Sequence, residues 1–461
     1  MLAGCPGDRG QSDSEDSEKN RVAVPLRLLV VDDPALAGQI ERQWTARGAG
    51  ELTVEAVAGD WLQKQRRLSA DMIVFPSRML GTLAAGNRIE RWPKDEQGGR
   101  SDPDVFPLQR FRETRWGQQP YAVSFGSPQF VLYLRRDRLE ELRREVPASW
   151  SDYAELVTRL GRSAESDPSQ PTRFAVAEPL GPGWAARVLL ARAAAYVGHG
   201  SQYSGLFDFT SFEPLIAEPP FVRALEELLA AAKRAPPEVL RADPSEVKRW
   251  FYEGKVAIAW GWPTGTFSIA KEVSQPIDVD VVDMAPLPGS ADAYLFEQNE
   301  WVKRTARESP AVPLLAVAGR LGAVVRGTSH RKEAAAALVW LTGREFSVSV
   351  SSATPSTTAF RRSHASDPAW LDRGLPHTLA ERYGESVEQT QSLAHCLFVP
   401  RIPGGDRYLS VLDEAVRRAV KDSVDPQACL ERVAEDWAEI TKELGRDRQV
   451  QAYHQSLGLE R

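Results

Sequence analysis

Short apolar runs alternate with amphipathic segments over the first part of the chain. The runs 24–31, 52–57 and 71–75 are mostly apolar and contain β-branched residues, a pattern typical of strands buried on both faces. Segment 35–47 carries Leu, Ile and Trp at a spacing of four, which predicts a helix between the first two strands. A further helix is expected at 61–68. Strands and helices alternating in this order predict a parallel sheet with helical crossovers.

The same alternation continues along the rest of the chain. The 461 residues exceed what one core normally holds, so two or three domains are expected. The apolar stretch 121–134 is interrupted at 126–128 (Gly-Ser-Pro) and is predicted to form two short strands. Further strands are predicted at 255–259 and 278–287, and helices at 150–160, 184–197, 218–235, 247–254 and 330–341, before two long amphipathic helices, the last of which ends at Gly445.

Composition and charge place the chain among globular proteins. Apolar residues make up 42% and charged residues 26%. The 57 basic and 63 acidic side chains give a net charge of −6, without the basic excess that marks nucleic-acid binding. No run approaches the ~18 apolar residues that a membrane-spanning helix needs. We therefore expect neither a nucleic-acid partner nor a membrane-embedded helix.

The first strand ends in the acidic pair Asp32 and Asp33, and this start is similar to that of response-regulator receiver domains. Such a domain also needs a phospho-accepting aspartate at the end of its third strand. Here that strand continues into 75–77 (Phe-Pro-Ser), so the acceptor is missing. The simpler interpretation of the pair is a strand-end turn, or a helix N-cap ahead of Pro34.

The N-terminal tetrapeptide Leu-Ala-Gly-Cys resembles the lipobox of bacterial lipoproteins, in which the cysteine, here Cys5, carries diacylglycerol. Only Met1 precedes it, whereas a lipobox normally follows a charged and an apolar region. Residues 6–20 contain no large apolar side chain and are Ser-rich and acidic, which predicts a disordered tether. An ordinary polar N-terminus has the same composition. We expect residues 1–24 to be a lipobox and tether that anchor the protein to a membrane through lipid alone.

Several local patterns, each short, occur in the order in which one protein family carries them. The chain resembles the bacterial extracellular solute-binding proteins of the maltose- and oligosaccharide-binding type, over roughly 24–445. The patterns that carry the resemblance are 70–77 (ADMIVFPS), 83–93 (LAAGNRIERWP), 147–150 (PASW), 251–262 (FYEGKVAIAWGW), 285–289 (APLPG) and 332–341 (KEAAAALVWL).

The resemblance implies an α/β fold with two lobes, the type II periplasmic-binding-protein fold. Each lobe is a central sheet flanked by helices, crossing hinge strands join the lobes, and the solute lies between them. Crossings are expected near 121–134, near 282–290 and after the helix at 330–343. The implied lobes are 25–125 plus 286–350 for the first, and 126–285 plus 351–461 for the second.

The resemblance also implies a function and a set of ligand contacts. The protein would be an extracytoplasmic monomer that delivers a small solute, a sugar or oligosaccharide, to the permease of an ABC importer. Sugars need flat aromatic surfaces for their C–H faces and fixed polar partners for their hydroxyls. The residues expected to supply them are Ser77, Arg78, Ser124, Ser127, Trp184, Trp260, Trp262, Arg407 and Tyr408. Packing in the core is the alternative role for the aromatic members.

Other chemistries leave no recognisable pattern. The six histidines lack metal-site spacing, no Gly-rich loop ends in the Lys-Ser/Thr pair of a phosphate site, and no G-x-S-x-G motif occurs. We expect no metal, no cofactor and no enzymatic activity. Cys396 and Cys429 are expected to be buried free thiols, although an oxidising compartment would allow them to pair. Two alternatives remain: a ligand sensor for a signalling partner, and a secreted carbohydrate-active enzyme, since glycosidase carboxylates leave no sequence signature.

Overall fold

The computed structural model describes residues 24–48, 50–93, 102–166 and 172–459. Fifteen strands lie in these ranges: β1 Leu26–Val31, β2 Leu52–Val57, β3 Met72–Pro76, β4 Arg115–Trp116, β5 Gln119–Pro120, β6 Val123–Gly126, β7 Val131–Arg135, β8 Phe174–Ala177, β9 Val256–Gly261, β10 Val282–Pro286, β11 Asp292–Leu295, β12 Glu300–Lys303, β13 Leu314–Leu315, β14 Arg320–Val324 and β15 Leu397–Phe398.

The helices alternate with these strands. In chain order they are α1 Pro34–Ala46, α2 Gly59–Lys64, α3 Leu80–Ala85, α4 Arg136–Glu141, α5 Trp150–Ser166, α6 Ala185–Val197, α7 Pro219–Ala232, α8 Pro244–Tyr252, α9 Ile269–Glu272, α10 Arg331–Leu341, α11 Arg344–Ser351, α12 Thr378–Gln391, α13 Gly405–Asp422, α14 Pro426–Leu444 and α15 Arg446–Ser456. A short π-helical turn, Gln109–Glu113, precedes β4. Among the described helices, none has the length and apolar character to cross a bilayer.

The first sheet has the strand order β2-β1-β3-β14-β6. Strands β1, β2 and β3 are parallel, and β14 is antiparallel to both of its neighbours. Alternate residues of β1 point to opposite faces, so Leu28 and Val30 pack with α1 and α10, while Leu29 and Val31 pack with α2 and α3. Because both faces are covered, β1 is apolar at nearly every position.

The second sheet has the order β10-β7-β9-β8. Strands β8 and β9 are parallel, while β7 runs antiparallel to β9 and to β10. Helix α5 packs on β8, α8 on β9 and α12 on β10. Two sheets, each flanked by helices, confirm the predicted α/β class.

One connection between the sheets is very short. Strand β6 ends at Gly126 beside Arg320 of β14, and β7 begins at Val131 beside Gly261 of β9. Only residues 127–130 lie between them. Gly126 has φ +111°, and a Cβ there would lie 2.5 Å from the carbonyl oxygen of Thr358, so glycine is required. This segment is the crossing; it holds the two sheets edge to edge.

Several elements differ from the sequence predictions. The last predicted helix does end at Gly445, but α15 follows it directly. The hairpin β11–β12 lies between the predicted strand 278–287 and the predicted helix 330–341, where no element was predicted. Helix α12 was not predicted, since its sequence is mostly polar. The predicted strand 278–287 begins with a 3₁₀ turn, and only its second half is a strand.

The buried carboxylate of Asp372, in the chain between α11 and α12, is hydrogen-bonded to strand β7 and helix α8 of the second lobe. Asp372 is 1% exposed and accepts hydrogen bonds from Lys248 Nζ at 2.6 Å, Tyr133 Oη at 2.9 Å and Tyr252 Oη at 3.0 Å. It also accepts the backbone N–H of Thr264 at 2.9 Å. The ammonium and carboxylate therefore compensate each other where neither meets water.

Substituting Asp372→Ala is expected to lower the free energy of unfolding by about 3–5 kcal/mol, since it leaves the buried Lys248 ammonium without its counter-ion. Urea denaturation followed by circular dichroism measures the change. Arg432→Gln, which removes an ion pair that is more than two-thirds exposed on both sides, is the control and should cause little change. A loss in the Asp372 variant no larger than in the control would contradict the interpretation.

Candidate functional site

The carboxyl ends of the parallel strands of both sheets meet across the crossing. In the first sheet, β1, β2 and β3 end at one edge, and β14 begins there because Arg320 pairs with Pro76. In the second sheet, β8 and β9 end at the edge where β7 begins. Since the crossing connects these edges directly, the two edges form opposite walls of one cleft. Ligands of open α/β sheets bind at such edges.

The wall contributed by the first sheet is polar. Asp33, after β1, caps α1 by accepting the N–H of Leu36 at 3.0 Å, which confirms the predicted N-cap ahead of Pro34. Its other oxygen lies 3.2 Å from Arg320 Nε and accepts the Thr354 hydroxyl at 2.8 Å. The neighbouring Asp32 is exposed, with one carboxylate oxygen accepting the N–H of Gly59.

The wall contributed by the second sheet is aromatic. The rings of Phe130, Trp184 and Trp262 have centroids 5.7–6.3 Å apart and tilt against one another. Phe130 is 5% and Trp262 6% exposed, whereas Trp184 is only partly buried. The Trp262 indole N–H donates to the carbonyl of Pro355 at 2.9 Å, which fixes that ring. Trp184 is therefore the one of these three rings that solvent, and so a solute, can reach, while the other two pack against it.

Trp184 owes its position to the start of α6, where it is the N-cap residue. The carboxylate of Asp413, on α13, accepts the N–H of Gly183 at 2.8 Å and that of Ala186 at 3.1 Å. The bond from Ala186 satisfies an N–H group that a helix leaves unpaired at its first turn, and the bond from Gly183 fixes the backbone just before the helix. Arg187 follows in that turn, and its guanidinium lies over the Trp184 ring, 5.3 Å from the centroid.

An ion pair connects the two walls. Arg78, after β3, places Nε 2.7 Å from Oδ1 of Asp406 in the first turn of α13. The side chains are 23% and 45% exposed, so the pair is accessible to solvent and to a solute. Burial, with a smaller contribution from the charge of Arg78, lowers the pKa of Arg187 to about 10, against the opposing effects of Asp406 and Asp413. Arg187 remains charged at neutral pH.

Comparison with known proteins identifies what kind of cleft this is. Residues 80–346 match the profile of a family described as bacterial extracellular solute-binding protein. The chain belongs to this family. No curated protein matches the chain in sequence. Membership implies solute binding at an extracytoplasmic location, and the family's members are binding proteins.

Solved structures share the whole architecture. An ABC-transporter solute-binding protein of Agrobacterium radiobacter K84, in complex with ribitol, is 17% identical with a TM-score of 0.64, over 90% of this chain and 98% of its own. Maltose-bound MalE3 of T. maritima is 16% identical with a TM-score of 0.65, over 91% and 100%. The sugar-binding protein MalE of Xanthomonas citri is 16% identical with a TM-score of 0.67, over 91% and 98%. The type II fold of two lobes joined by crossing strands is confirmed.

The structure brings Arg78, Trp184 and Trp262 of the predicted contacts together at the cleft of this solute-binding protein. Arg407 is nearby, next to Asp406 in sequence, but its guanidinium pairs with Glu443 on α14. The predicted lipid site Cys5 lies outside the described residues. The cysteines Cys396 and Cys429 are both free thiols, as predicted, one partly buried and one buried.

Two predicted aromatic contacts are placed in the core rather than at the cleft. Trp260 has no exposed surface; it stacks on Trp150 at 5.6 Å and donates its indole N–H to Tyr153 Oη at 2.9 Å. Tyr408 is equally buried, with its hydroxyl 3.0 Å from that of Thr441. In this conformation neither ring has a face free for a solute, and packing in the core accounts for both.

The three predicted serines are buried at the crossing, and their hydroxyls are engaged by the protein. Ser77 donates to the carbonyl of Ala318 at 2.9 Å. Ser127 donates to Glu113 Oε1 at 2.7 Å, and Ser124 donates to Gln109 of the π-helical turn. Their position suits a hinge, where short side chains fix the crossing, better than direct contact with a solute.

Five residues at the cleft escaped the sequence prediction: Asp32, Trp61, Phe130, Arg187 and Asp406. Trp61 is 39% exposed and lies in α2, directly after β2, so it belongs to the same edge as Arg78. Because β2 is the outermost strand, Trp61 stands at the outer side of the cleft. The sequence could have indicated Asp32 and Trp61, because residues that directly follow a parallel strand are candidates for ligand contacts.

Glu113 lies beneath the crossing with no exposed surface, and its Oε2 has no hydrogen-bond partner. Burial raises its pKa, although the hydrogen bond from Ser127, the nearby Ser77 hydroxyl and the charge of Arg401 act in the opposite direction. A folded-state pKa above the unfolded value means that the folded protein keeps a proton which the unfolded chain has lost. Its stability therefore falls as pH rises from the unfolded value, ~4.3, to the folded one.

Glu113→Gln cannot ionise, so its free energy of unfolding should rise relative to wild type between about pH 4.3 and the folded-state pKa, and stay higher at neutral pH. Urea denaturation at a series of pH values measures the difference. Glu308→Gln is the control with the opposite sign, since hydrogen bonds from Thr305 lower the pKa of Glu308 and its charge stabilises the folded state above the unfolded pKa. A Glu113→Gln curve parallel to wild type would disprove the interpretation.

Proposed function

We propose that this binding protein captures a sugar or a polyol in the cleft and delivers it to the permease of an ABC importer. The observation that carries the proposal is the partly exposed Trp184 ring, backed by Phe130 and Trp262 and facing a polar wall. A pyranose or extended polyol has one apolar C–H face and a rim of hydroxyls, which these two walls complement.

The solved relatives support the same ligand class. They contain bound ribitol, bound maltose and, for a solute-binding protein of Agrobacterium vitis S4 at 12% identity and a TM-score of 0.61, bound D-mannitol. Polyols and sugars have in common closely spaced hydroxyls and lack a large apolar group. At identities of 12–17%, these proteins are similar to this chain in fold. Their ligands support the proposal because the cleft of this chain has side chains that suit the same class of solute.

The proposed contacts come from both lobes. The lobe of the first sheet contributes Arg78 and Asp32, with Trp61 at the outer side. The lobe of the second sheet contributes Trp184, backed by Trp262, and Arg187. Closing the lobes around a solute removes these groups from water together, which is how such proteins gain affinity and signal occupancy to a permease.

The remaining parts of the proposal concern assembly. The protein acts as a monomer held at the extracytoplasmic face by lipid on Cys5, with the polar residues that follow as a tether. It needs no catalytic group, because capture and release of a solute involve no covalent step. A permease then recognises the closed form.

A thermal-shift screen against sugars, polyols, amino acids and oligopeptides tests the proposal. A solute at 100 times its Kd stabilises the native state by about 2.7 kcal/mol and raises the melting temperature. We expect a shift with members of the sugar and polyol class. A shift confined to amino acids or peptides would keep the fold and overturn the ligand class.

Trp184→Ala should weaken binding of the identified solute by at least about tenfold, roughly 1.4 kcal/mol, in isothermal titration calorimetry, because the stacking face is lost. Trp61→Ala should weaken it less. Trp301→Ala is the matched control: its ring is 38% exposed, like the 39% of Trp61, but it packs on Tyr196 at the other end of α6, about 18 Å along the helix at ~1.5 Å per residue. Equal effects of the three substitutions would contradict the assigned cleft.

A further inference from the structure

The two arginines of α6 differ in what surrounds them. Arg192 is 1% exposed and forms an ion pair, with its guanidinium 2.5 Å from Glu178 and stacked on Trp150. Arg187 lies five residues earlier, in the first turn of the same apolar helix. The Nε atoms of both arginines are buried without a hydrogen-bond partner, but for Arg187 no described carboxylate lies within ion-pair distance of the guanidinium. Its contact is the aromatic face of Trp184.

The carboxylates nearest to Arg187 already have other partners. Asp406 forms its ion pair with Arg78 at 2.7 Å. Asp413 uses both oxygens to accept the N–H groups of Gly183 and Ala186. A partly buried charge without a bonded counter-ion is unfavourable, so Arg187 is held at the cleft without the compensation that Arg192 receives.

Arg78 follows β3 on the first wall and Arg187 lies in the first turn of α6 on the second. Burial lowers the pKa of Arg187, the charge of Arg78 adds to this effect, and the charges of Asp406 and Asp413 oppose it. An anionic group bound directly to Arg187 would satisfy its unused N–H donors. A guanidinium offers parallel N–H donors that match a carboxylate or a phosphate, and such charge-assisted bonds are about twice as strong as neutral ones.

We propose that the solute is an acidic sugar or polyol, whose carboxylate or phosphate is bound by Arg187 and faces Arg78 while its C–H face lies on Trp184. This inference rests on the proposed function, since it assigns the charge of the solute captured in that cleft. A neutral sugar could offer Arg187 only hydroxyl oxygens. An acidic one supplies the missing counter-ion, so closure of the lobes buries a compensated pair.

Isothermal titration calorimetry with matched solutes tests this assignment. The pairs are galacturonate and galactose, gluconate and sorbitol, and glucose 6-phosphate and glucose, with acetate and inorganic phosphate as the anions alone. At least one acidic member should bind ten times or more tightly than its neutral counterpart. Whether a carboxylate or the phosphate shows the larger preference identifies the anionic group. The preference should decrease as salt is raised toward 1 M, where the screening length is ~3 Å.

Arg187→Gln should abolish the preference for the acid, with a much smaller loss of affinity for the neutral member. Arg187→Lys, which keeps the charge but not the fork of donors, should retain part of it. Arg432→Gln, which removes an equal charge on the exposed face of α14, is the control and should leave binding unchanged. Circular dichroism of each variant checks the fold, and if Arg187→Gln does not fold, the salt dependence of the wild-type preference decides.

The outcomes separate this inference from the proposed function. Binding of neutral sugars as tight as that of the acids, unaffected by Arg187→Gln, would overturn the inference and leave sugar capture intact. Acetate or phosphate binding as tightly as the sugar acids would also overturn it, since the sugar would then contribute nothing. Absence of binding by every sugar and polyol, acidic or neutral, would overturn both.

Discussion

The crossing from β6 to β7 is the constraint on which the rest of the structure depends. Only residues 127–130 separate strands that belong to different sheets, so the edges at their ends are forced to face each other. Gly126 makes this possible, because its positive φ and its contact with Thr358 leave no room for a side chain. The buried serines and Glu113 then fix the segment from below. The cleft in which we propose that the solute binds exists because these two sheet edges face each other.

The charged side chains of the two walls differ in whether they have a partner of opposite charge. On the first wall, Asp33 pairs with Arg320 inside the protein. Between the walls, Arg78 pairs with Asp406 where solvent reaches both. On the second wall, Arg187 has an aromatic contact, and no carboxylate of the described residues lies within ion-pair distance of it. The buried pairs provide the scaffold, the exposed pair is accessible to a solute, and Arg187 is the group that we propose selects it.

The fold could be predicted from the sequence further than the site could. A continuous apolar run located β1, a spacing of four located α1, and an apolar stretch interrupted at 126–128 located the two strands at the crossing, because burial leaves such traces in the sequence. Trp260 and Trp262 show why side-chain roles could not follow. Trp260 lies near the end of β9 and Trp262 directly follows it. Trp260 is enclosed because Trp150 and Tyr153 pack on it, and those contacts cannot be read from the sequence of the strand. Two arginines in an otherwise apolar helix were a usable signal for Arg187, but which of them finds a carboxylate depends on tertiary neighbours.

The most direct test of the account is a crystal structure of the protein with the solute that gives the largest thermal shift. The account predicts the solute between the facing sheet edges, on the Trp184 ring at about 4 Å and within about 3 Å of the guanidinium of Arg187. A solute bound elsewhere would contradict it, for example in the cavity of about 330 Å³ lined by His199, His395 and Tyr453.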